Sequence, residues 1–234
     1  MIVVNFKTYE QATGAKALAL AKICKKVADE TKVRIIAVPQ LADIKSCVDV
    51  GVECWAQHVD AVEPGRHTGF VLLEDLMAAG AKGTLLNHSE HKLDWEVLKS
   101  TLVRVDGKIE VCVCAVNLEE CQRVATLQPK YVAYEPTEFI GNKDLSVATE
   151  RGGVIKQVVQ VLAAMPIIIG AGIHSAVDVK AGLEFGAKGI LVATDVVLAE
   201  DPEKDLRELA LAFTSQPAAP VSPQSNTATT VSPS

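Results

Sequence analysis

The feature that most constrains the fold is a regular alternation of short, β-branched apolar runs with longer segments of helical periodicity. Continuous apolar runs are typical of parallel strands, which are buried on both faces. We interpret eight runs as strands, over residues 2–5, 34–38, 53–57, 83–87, 110–115, 131–135, 167–170 and 189–193. The intervening helices are predicted over residues 11–30, 41–48, 72–79, 94–104, 118–126, 149–164, 176–185 and 202–213.

Eight strand-then-helix units, joined by right-handed crossovers, predict an α/β fold: a closed (β/α)8 barrel of eight parallel strands. An open, doubly wound parallel sheet is the structural alternative, but it ordinarily has fewer strands. We therefore predict a single barrel domain over residues 1–213. Residues 214–234 carry no charge and are rich in Ser, Thr, Pro, Ala and Gln, so we predict a disordered tail. A short linear motif in this tail is the alternative.

Composition excludes several classes of partner. The net charge is −6 and no basic patch is present, so a nucleic-acid partner is not expected. No apolar run approaches the roughly 20 residues of a membrane-spanning helix, and no secretory signal is visible. We therefore expect a cytoplasmic protein with six reduced cysteines. The Cys112-x-Cys114 pair has no second pair of ligands, so no metal site is predicted.

Polar residues stand where three of the predicted strands end. Asn5 and Lys7 follow the first strand, His88 and Glu90 follow the fourth, and Glu135 follows the sixth. Catalytic residues of such barrels gather at the C-terminal ends of the strands, so these side chains should meet in one cavity. A carboxylate can abstract a proton, a neutral imidazole can donate to an oxygen and an ammonium can stabilise negative charge. The set suits proton transfer at a carbon next to a carbonyl.

Two turns at the same end of the barrel favour a phosphate site. Residues 170–173 and 193–195 follow the last two strands, where barrel enzymes commonly bind phosphate through backbone N–H groups. The sequence thus predicts an enzyme for a small phosphorylated carbonyl compound.

Each of these assignments has a plainer alternative. His88 could decorate a helix cap, Glu135 could be a solvated turn residue, and a lone G-x-G is a weak signal. The remaining histidines are expected to be mostly structural or superficial, and none forms H-E-x-x-H with a neighbour, so no zinc site is predicted. They are His58, His67, His91 and His174.

Six segments, in this order, resemble triosephosphate isomerases, and in particular their compact archaeal branch. The segments are NFK at 5–7, AQHVDAVEPGRHTG at 56–69, GTLLNHSE at 83–90, AYEP at 133–136, GAGI at 170–173 and LVAT at 191–194. The resemblance implies interconversion of dihydroxyacetone phosphate and D-glyceraldehyde 3-phosphate in glycolysis and gluconeogenesis, without cofactor or metal. There are two alternatives. One is a different sugar-phosphate isomerase on a related barrel, and the other is a barrel that has kept these residues but lost catalytic turnover.

The resemblance also implies a role for each candidate residue. Glu135 is the base that moves a proton between C1 and C2, and His88 hydrogen-bonds the carbonyl and enediolate oxygens. Lys7 supplies positive charge and is positioned by Asn5, with Glu90 as a supporting carboxylate. Residues 136–146 form a lid over the site. The implied phosphate-binding residues are Ile140 and Gly141 on the lid and Gly172, Ala193 and Thr194 on the two turns. A loop over 63–69 packs into a neighbouring subunit of a homodimer or homotetramer.

Three departures from the family pattern bear on these expectations. Lys143 and Asp144 replace small residues in the lid, which puts the turnover rate in question. Asp195 stands where the last turn usually has glycine; we expect it to cap the last helix with its side chain turned away, the alternative being repulsion of the phosphate. His174 replaces a small polar residue, where it could aid phosphate binding when protonated or do nothing.

Overall fold

A computed structural model describes residues 1–140, 145–162 and 165–214. The tail predicted over 214–234 therefore lies outside the described residues apart from Thr214, which ends a helix, and so do the lid residues 141–144. The strands are β1 (Ile2–Asn5), β2 (Ile35–Val38), β3 (Glu53–Ala56), β4 (Gly83–Leu86), β5 (Glu110–Ala115), β6 (Tyr131–Tyr134), β7 (Ile167–Gly170) and β8 (Gly189–Val192). All pair in parallel with their sequence neighbours, and β8 pairs with β1. The closed barrel is confirmed and the open sheet is wrong.

Helices connect the strands on the outside of the barrel. The α-helices of the described residues are α1 (Ala15–Thr31), α2 (Ile44–Asp49), α3 (Leu73–Ala79), α4 (Trp95–Val105), α5 (Leu118–Ala125), α6 (Val147–Glu150), α7 (Gly152–Val161), α8 (Ala176–Glu184), α9 (Thr194–Val197) and α10 (Pro202–Thr214). Short 3-10 helices cover Glu10–Ala12, Leu41–Asp43 and Thr137–Phe139. Within the described ranges, none of the helices combines the length and the apolar character that crossing a membrane requires.

Three predicted helices differ from the structure. The first begins at Ala15 rather than residue 11, because Gly14 has φ 59° and ψ −124°, which a helix cannot include. The helix predicted over 41–48 is an α-helix only over Ile44–Asp49, since Leu41–Asp43 form a 3-10 helix. The helix predicted over 149–164 is divided in two by Arg151, at φ −122° and ψ 24°. α9 was not predicted at all, since four residues show no periodicity.

Alternation along the strands divides the apolar side chains between two layers. Val3 points into the barrel, where it packs with Trp55 and Leu191, whereas Val4 packs outward against the helices. The barrel interior is therefore a packed core, as expected when the inward residues of successive strands form layers. The cysteines at 24, 47, 54, 112, 114 and 121 are buried free thiols.

The N-terminal end of the barrel is closed by a polar network centred on Arg34. Its guanidinium donates to both carboxylate oxygens of Glu53, at 3.0 and 2.6 Å, to Glu110 at 2.5 Å and to the hydroxyl of Tyr131 at 2.9 Å. The opposite, C-terminal end carries the candidate site.

Candidate active site

The base predicted by the sequence lies one residue beyond β6, at the C-terminal mouth of the barrel. Glu135 is buried, and its backbone N–H donates to Ala115 O at 2.8 Å. Within the described residues, Oε2 of Glu135 is the buried side-chain oxygen or nitrogen that lacks a hydrogen-bond partner. It lies 3.9 Å from Nε2 of His88. Because an unpaired buried acceptor is costly, this atom is a candidate for contact with a bound molecule.

His88 is held by the loop that follows β4. Asn87, with φ 57°, donates through its side-chain amide to Cys114 O and to Glu120, both at 2.9 Å. The backbone N–H of Glu90 donates to Nδ1 of His88 at 3.2 Å. Nδ1 is therefore an acceptor, and the proton of a neutral imidazole belongs on Nε2, which faces Glu135. The His88 ring is buried and lines the same cavity as Glu135.

Lys7 occupies the turn after β1 in a left-handed conformation, with φ 48°. Its N–H donates to Oδ1 of Asn5 at 3.0 Å, and the side-chain amide of Gln57 donates to its carbonyl at 2.8 Å. The ammonium lies 2.6 Å from the Glu90 carboxylate. The strand ends thus bring together Lys7, His88 and Glu90, as the sequence predicted. Gln57, which also donates to the backbone of β2, was not among the predicted site residues, although its place after β3 was a visible signal.

The two turns predicted to bind phosphate border the same cavity. After β7, Ala171 and Gly172 are both left-handed, at φ 71° and 69°. A Cβ on Gly172 would stand 2.2 Å from the carbonyl oxygen of Leu145, so only glycine fits there. After β8, Ala193 precedes α9, and the hydroxyls of Tyr9 and Thr194 are 3.1 Å apart. The residues that line this cavity include Lys7, His88, Glu135, Ile140, Gly172, Ala193 and Thr194.

A larger cavity of about 610 Å³ adjoins the cavity beside the two turns, and Lys7 and His88 line both. Asn5 and Glu90 also line the larger cavity. Its volume is in the range of small-molecule sites. Of the predicted site residues, Gly141 lies outside the described residues. The described ones line one or both of these two cavities.

The family model for triosephosphate isomerase matches residues 1–210. Relatives named triosephosphate isomerase cover 89% of this chain: one from Methanocaldococcus jannaschii is 37% identical over 98% of its own length. A relative from Methanothermus fervidus is 39% identical over 96% of its own length, and a relative from Methanopyrus kandleri is 40% identical over 95% of its own length.

This chain belongs to the triosephosphate isomerase family. Membership argues against the alternative of a different sugar-phosphate isomerase on a related barrel. The resemblance drawn from the six segments, and the archaeal character of the similar relatives, are confirmed.

Two departures from the triosephosphate isomerase pattern contact each other. Nδ1 of His174 lies 2.7 Å from Oδ1 of Asp195, and Nε2 of His174 lies 3.2 Å from the carbonyl oxygen of Leu145. The expectation that Asp195 caps the last helix is wrong: Asp195 lies in the first turn of α9, whereas Asp201 accepts from the N–H of Lys204 at the start of α10. Burial lowers the pKa of His174, but the hydrogen bond and charge of Asp195 outweigh it, so the pKa is raised.

Two of the other histidines, His58 and His91, line the larger cavity although neither was a predicted site residue. His58 bonds Asp60 at 3.0 Å and stacks on His91 with ring centroids 4.4 Å apart, while His67 meets the edge of Phe70. Residues 63–69, the loop expected at a subunit interface, are all exposed in the single chain. In the part of the chain that the structure describes, no three His, Cys, Asp or Glu residues are grouped as a metal site would need.

Proposed function

We propose that the chain interconverts dihydroxyacetone phosphate and D-glyceraldehyde 3-phosphate at the C-terminal mouth of the barrel, with Glu135 as base. The observation that carries the proposal is the unpaired, buried Oε2 of Glu135, 3.9 Å from Nε2 of His88. A carboxylate oxygen without a hydrogen-bond partner remains available to a substrate proton.

The reaction transfers one proton out and one back. Glu135 takes a proton from the carbon next to the carbonyl, and the C–H electron pair forms the C=C bond of an enediolate. Negative charge moves to the former carbonyl oxygen, where the Nε2–H of His88 donates a hydrogen bond. Glu135 then returns the proton to the adjacent carbon, while a proton also moves between the two oxygens. Atoms and electrons balance without a cofactor or metal.

Lys7 supplies a positive charge at the same cavity. Glu90 fixes its ammonium, and Asn5 fixes the left-handed turn that carries it. A preorganised cation stabilises developing negative charge at no cost of reorganisation during the reaction. In this proposal Lys7 and His88 act together on the oxygens, and Glu90 acts through Lys7.

The phosphate group is proposed to bind the backbone N–H groups of Gly172, Ala193 and Thr194. A turn that exposes successive backbone N–H groups is suited to an anion, and residues 171 and 172, at φ 71° and 69°, lie in such a turn after β7. Ile140, and Gly141 outside the described residues, would approach from the lid over 136–146. Closure of that lid would exclude water from the enediolate.

The proposed partners are a small phosphorylated triose and further copies of the chain. A homodimer or homotetramer is proposed to use the exposed loop 63–69, and the proposed location is the cytoplasm.

The proposal is tested by adding D-glyceraldehyde 3-phosphate to the purified chain and coupling the product's reduction to NADH oxidation. The matched control is Glu135→Gln, which keeps the shape but loses the base. We expect turnover in the wild type and a loss of about 100- to 10,000-fold in the variant. No turnover in either protein would overturn the proposal and favour a barrel that has lost the rate. Equal turnover in both would remove Glu135 from the role of base.

A further inference from the structure

The contact between His174 and Asp195 joins segments that surround the proposed phosphate site. His174 follows the turn after β7, and Asp195 lies in the first turn after β8. Besides its 2.7 Å contact with Asp195, the ring bonds the carbonyl of Leu145, on the C-terminal side of the proposed lid, at 3.2 Å. One imidazole therefore bridges three chain segments at this rim.

The position of Asp195 raises an electrostatic problem for phosphate binding. Asp195 lines the same cavity as Gly172 and Thr194, where the phosphate dianion is proposed to sit. Its side chain is 31% exposed and that of His174 is 24% exposed, so water screens the carboxylate only in part. An unpaired carboxylate there would repel the dianion, whereas a carboxylate bonded to an imidazolium forms a pair of zero net charge.

The backbone of His174 is fixed independently of its ring. Its N–H donates to Oδ2 of Asp178 at 3.1 Å, and the same carboxylate accepts from the N–H and hydroxyl of Ser175, at 2.9 and 2.8 Å. Ser175 and Asp178 form the capping box that begins α8. His174 therefore presents its ring to Asp195 from a rigid helix start.

We propose that His174 is a positioning residue that neutralises the Asp195 carboxylate beside the substrate phosphate. The proposal rests on the phosphate site of the proposed function. It predicts different effects for the two partners: loss of His174 exposes the carboxylate and weakens anion binding, whereas loss of the carboxylate leaves no negative charge beside the phosphate and does not weaken anion binding. A pair with a purely structural role would instead weaken binding whichever partner is removed.

The test compares His174→Gln, Asp195→Asn and the double variant, using inorganic phosphate as a competitive inhibitor of the isomerase reaction. For His174→Gln we expect the inhibition constant and the KM to rise about five- to thirtyfold. This range is the repulsion between one uncompensated Asp195 charge and a phosphate monoanion or dianion about 4 Å away in water. Most of that loss should appear in KM rather than kcat. Asp195→Asn should leave phosphate binding within about threefold of the wild type, and should tighten it by up to about fivefold at a pH where the freed imidazole stays protonated. The double variant should be rescued to within about threefold of the wild type, a coupling that defines the pair.

A matched control is Asp29→Asn, which removes one carboxylate from the exposed pair with Lys25 on α1. It changes the net charge as Asp195→Asn does, and it should leave phosphate inhibition unaltered.

The pH profile gives a second readout. Asp195 and Asp178 are the charged groups that raise the pKa of His174. Above that raised pKa the ring is neutral and Asp195 is uncompensated. At pH values above the ordinary imidazole pKa of about 6.5, where the ring of Asp195→Asn has lost its charge, the ratio of inhibition constants, wild type over Asp195→Asn, should therefore increase as the pH rises through the raised pKa.

Failure of this inference is distinct from failure of the proposed function. An active wild type with an unchanged inhibition constant in His174→Gln would overturn the inference alone, as would a double variant no better than His174→Gln. If the wild type shows no turnover, calorimetric titration with inorganic phosphate can rank the affinities of the wild type and the three variants instead. If His174→Gln does not fold, a pH-independent ratio between the wild type and Asp195→Asn would overturn the inference.

Discussion

The Glu135 carboxylate lies directly against the Cα of Gly170: a methyl group there would stand 2.5 Å from Oε1 and 2.9 Å from Cδ. The contact follows from the register of β6 and β7, which pairs Tyr134 with Ile169 and so places the next two residues side by side. Gly170 leaves the space that the carboxylate occupies. Gly170, the last residue of β7, thereby sets the position of the proposed base Glu135, which follows the neighbouring strand β6.

Gly170→Ala should displace Glu135 from its place at the cavity. Displacing a catalytic group by about 1 Å can cost on the order of 100-fold, so we expect kcat to fall by about ten- to 100-fold. Steady-state kinetics on D-glyceraldehyde 3-phosphate measures this. Gly153→Ala is the matched control, because a Cβ at Gly153 in α7 has nothing within 4 Å. It should leave kcat unchanged and raise the melting temperature slightly. Full activity in Gly170→Ala would contradict the proposed placement of the base.

Glu135→Asp withdraws the carboxylate by one methylene without changing its charge. The shorter side chain should no longer reach the carbon acid, and we expect turnover to fall by about 100-fold. The experiment compares kcat for the variant and the wild type, with thermal unfolding to show that both are folded. An unaltered kcat would mean that Glu135 is not the base.

The sequence predicted those site residues whose positions depend on the end of a single strand. His88 and Glu135 were identified because each follows a buried apolar run, and the end of such a run can be located without knowing its neighbours. The strand limits were therefore correct to within about one residue, and the residues after them were placed at the right end of the barrel.

The contacts that depend on two strands were beyond sequence reasoning. The pairing of Gly170 with Leu191 between β7 and β8 brings His174 to Asp195, and periodicity identifies a strand without giving its register. Asp195 was predicted to cap the last helix because α9, at four residues, is too short to show a helical period. Both departures were visible in the sequence, but their contact was not.

Asn5→Ala tests how Lys7 is positioned. Without Oδ1 of Asn5, the N–H of Lys7 loses its acceptor and the left-handed turn at φ 48° loses its support. We expect kcat to fall by about tenfold or more, less than in Lys7→Met, which removes the ammonium itself. If Asn5 acts through Lys7, the double variant should be no worse than Lys7→Met alone. Additive losses would show instead that Asn5 contributes independently.

Arg34→Met should separate stability from activity. Arg34 joins Glu53, Glu110 and Tyr131 at the N-terminal end of the barrel, away from the site, and removing it leaves two carboxylates without their cation. Its side chain is 38% exposed, so solvent screening reduces the expected loss to about 1–2 kcal/mol, a fall in melting temperature of roughly 3–6 °C. Lys45→Met, which removes an exposed pair with Asp49 on α2, is the control and should cost less than about 0.5 kcal/mol. Thermal unfolding and kcat measured on the same samples check both, and kcat should be unchanged in each. A loss of kcat in Arg34→Met with an unchanged melting temperature would contradict the division of the barrel into a stabilising end and a reacting end.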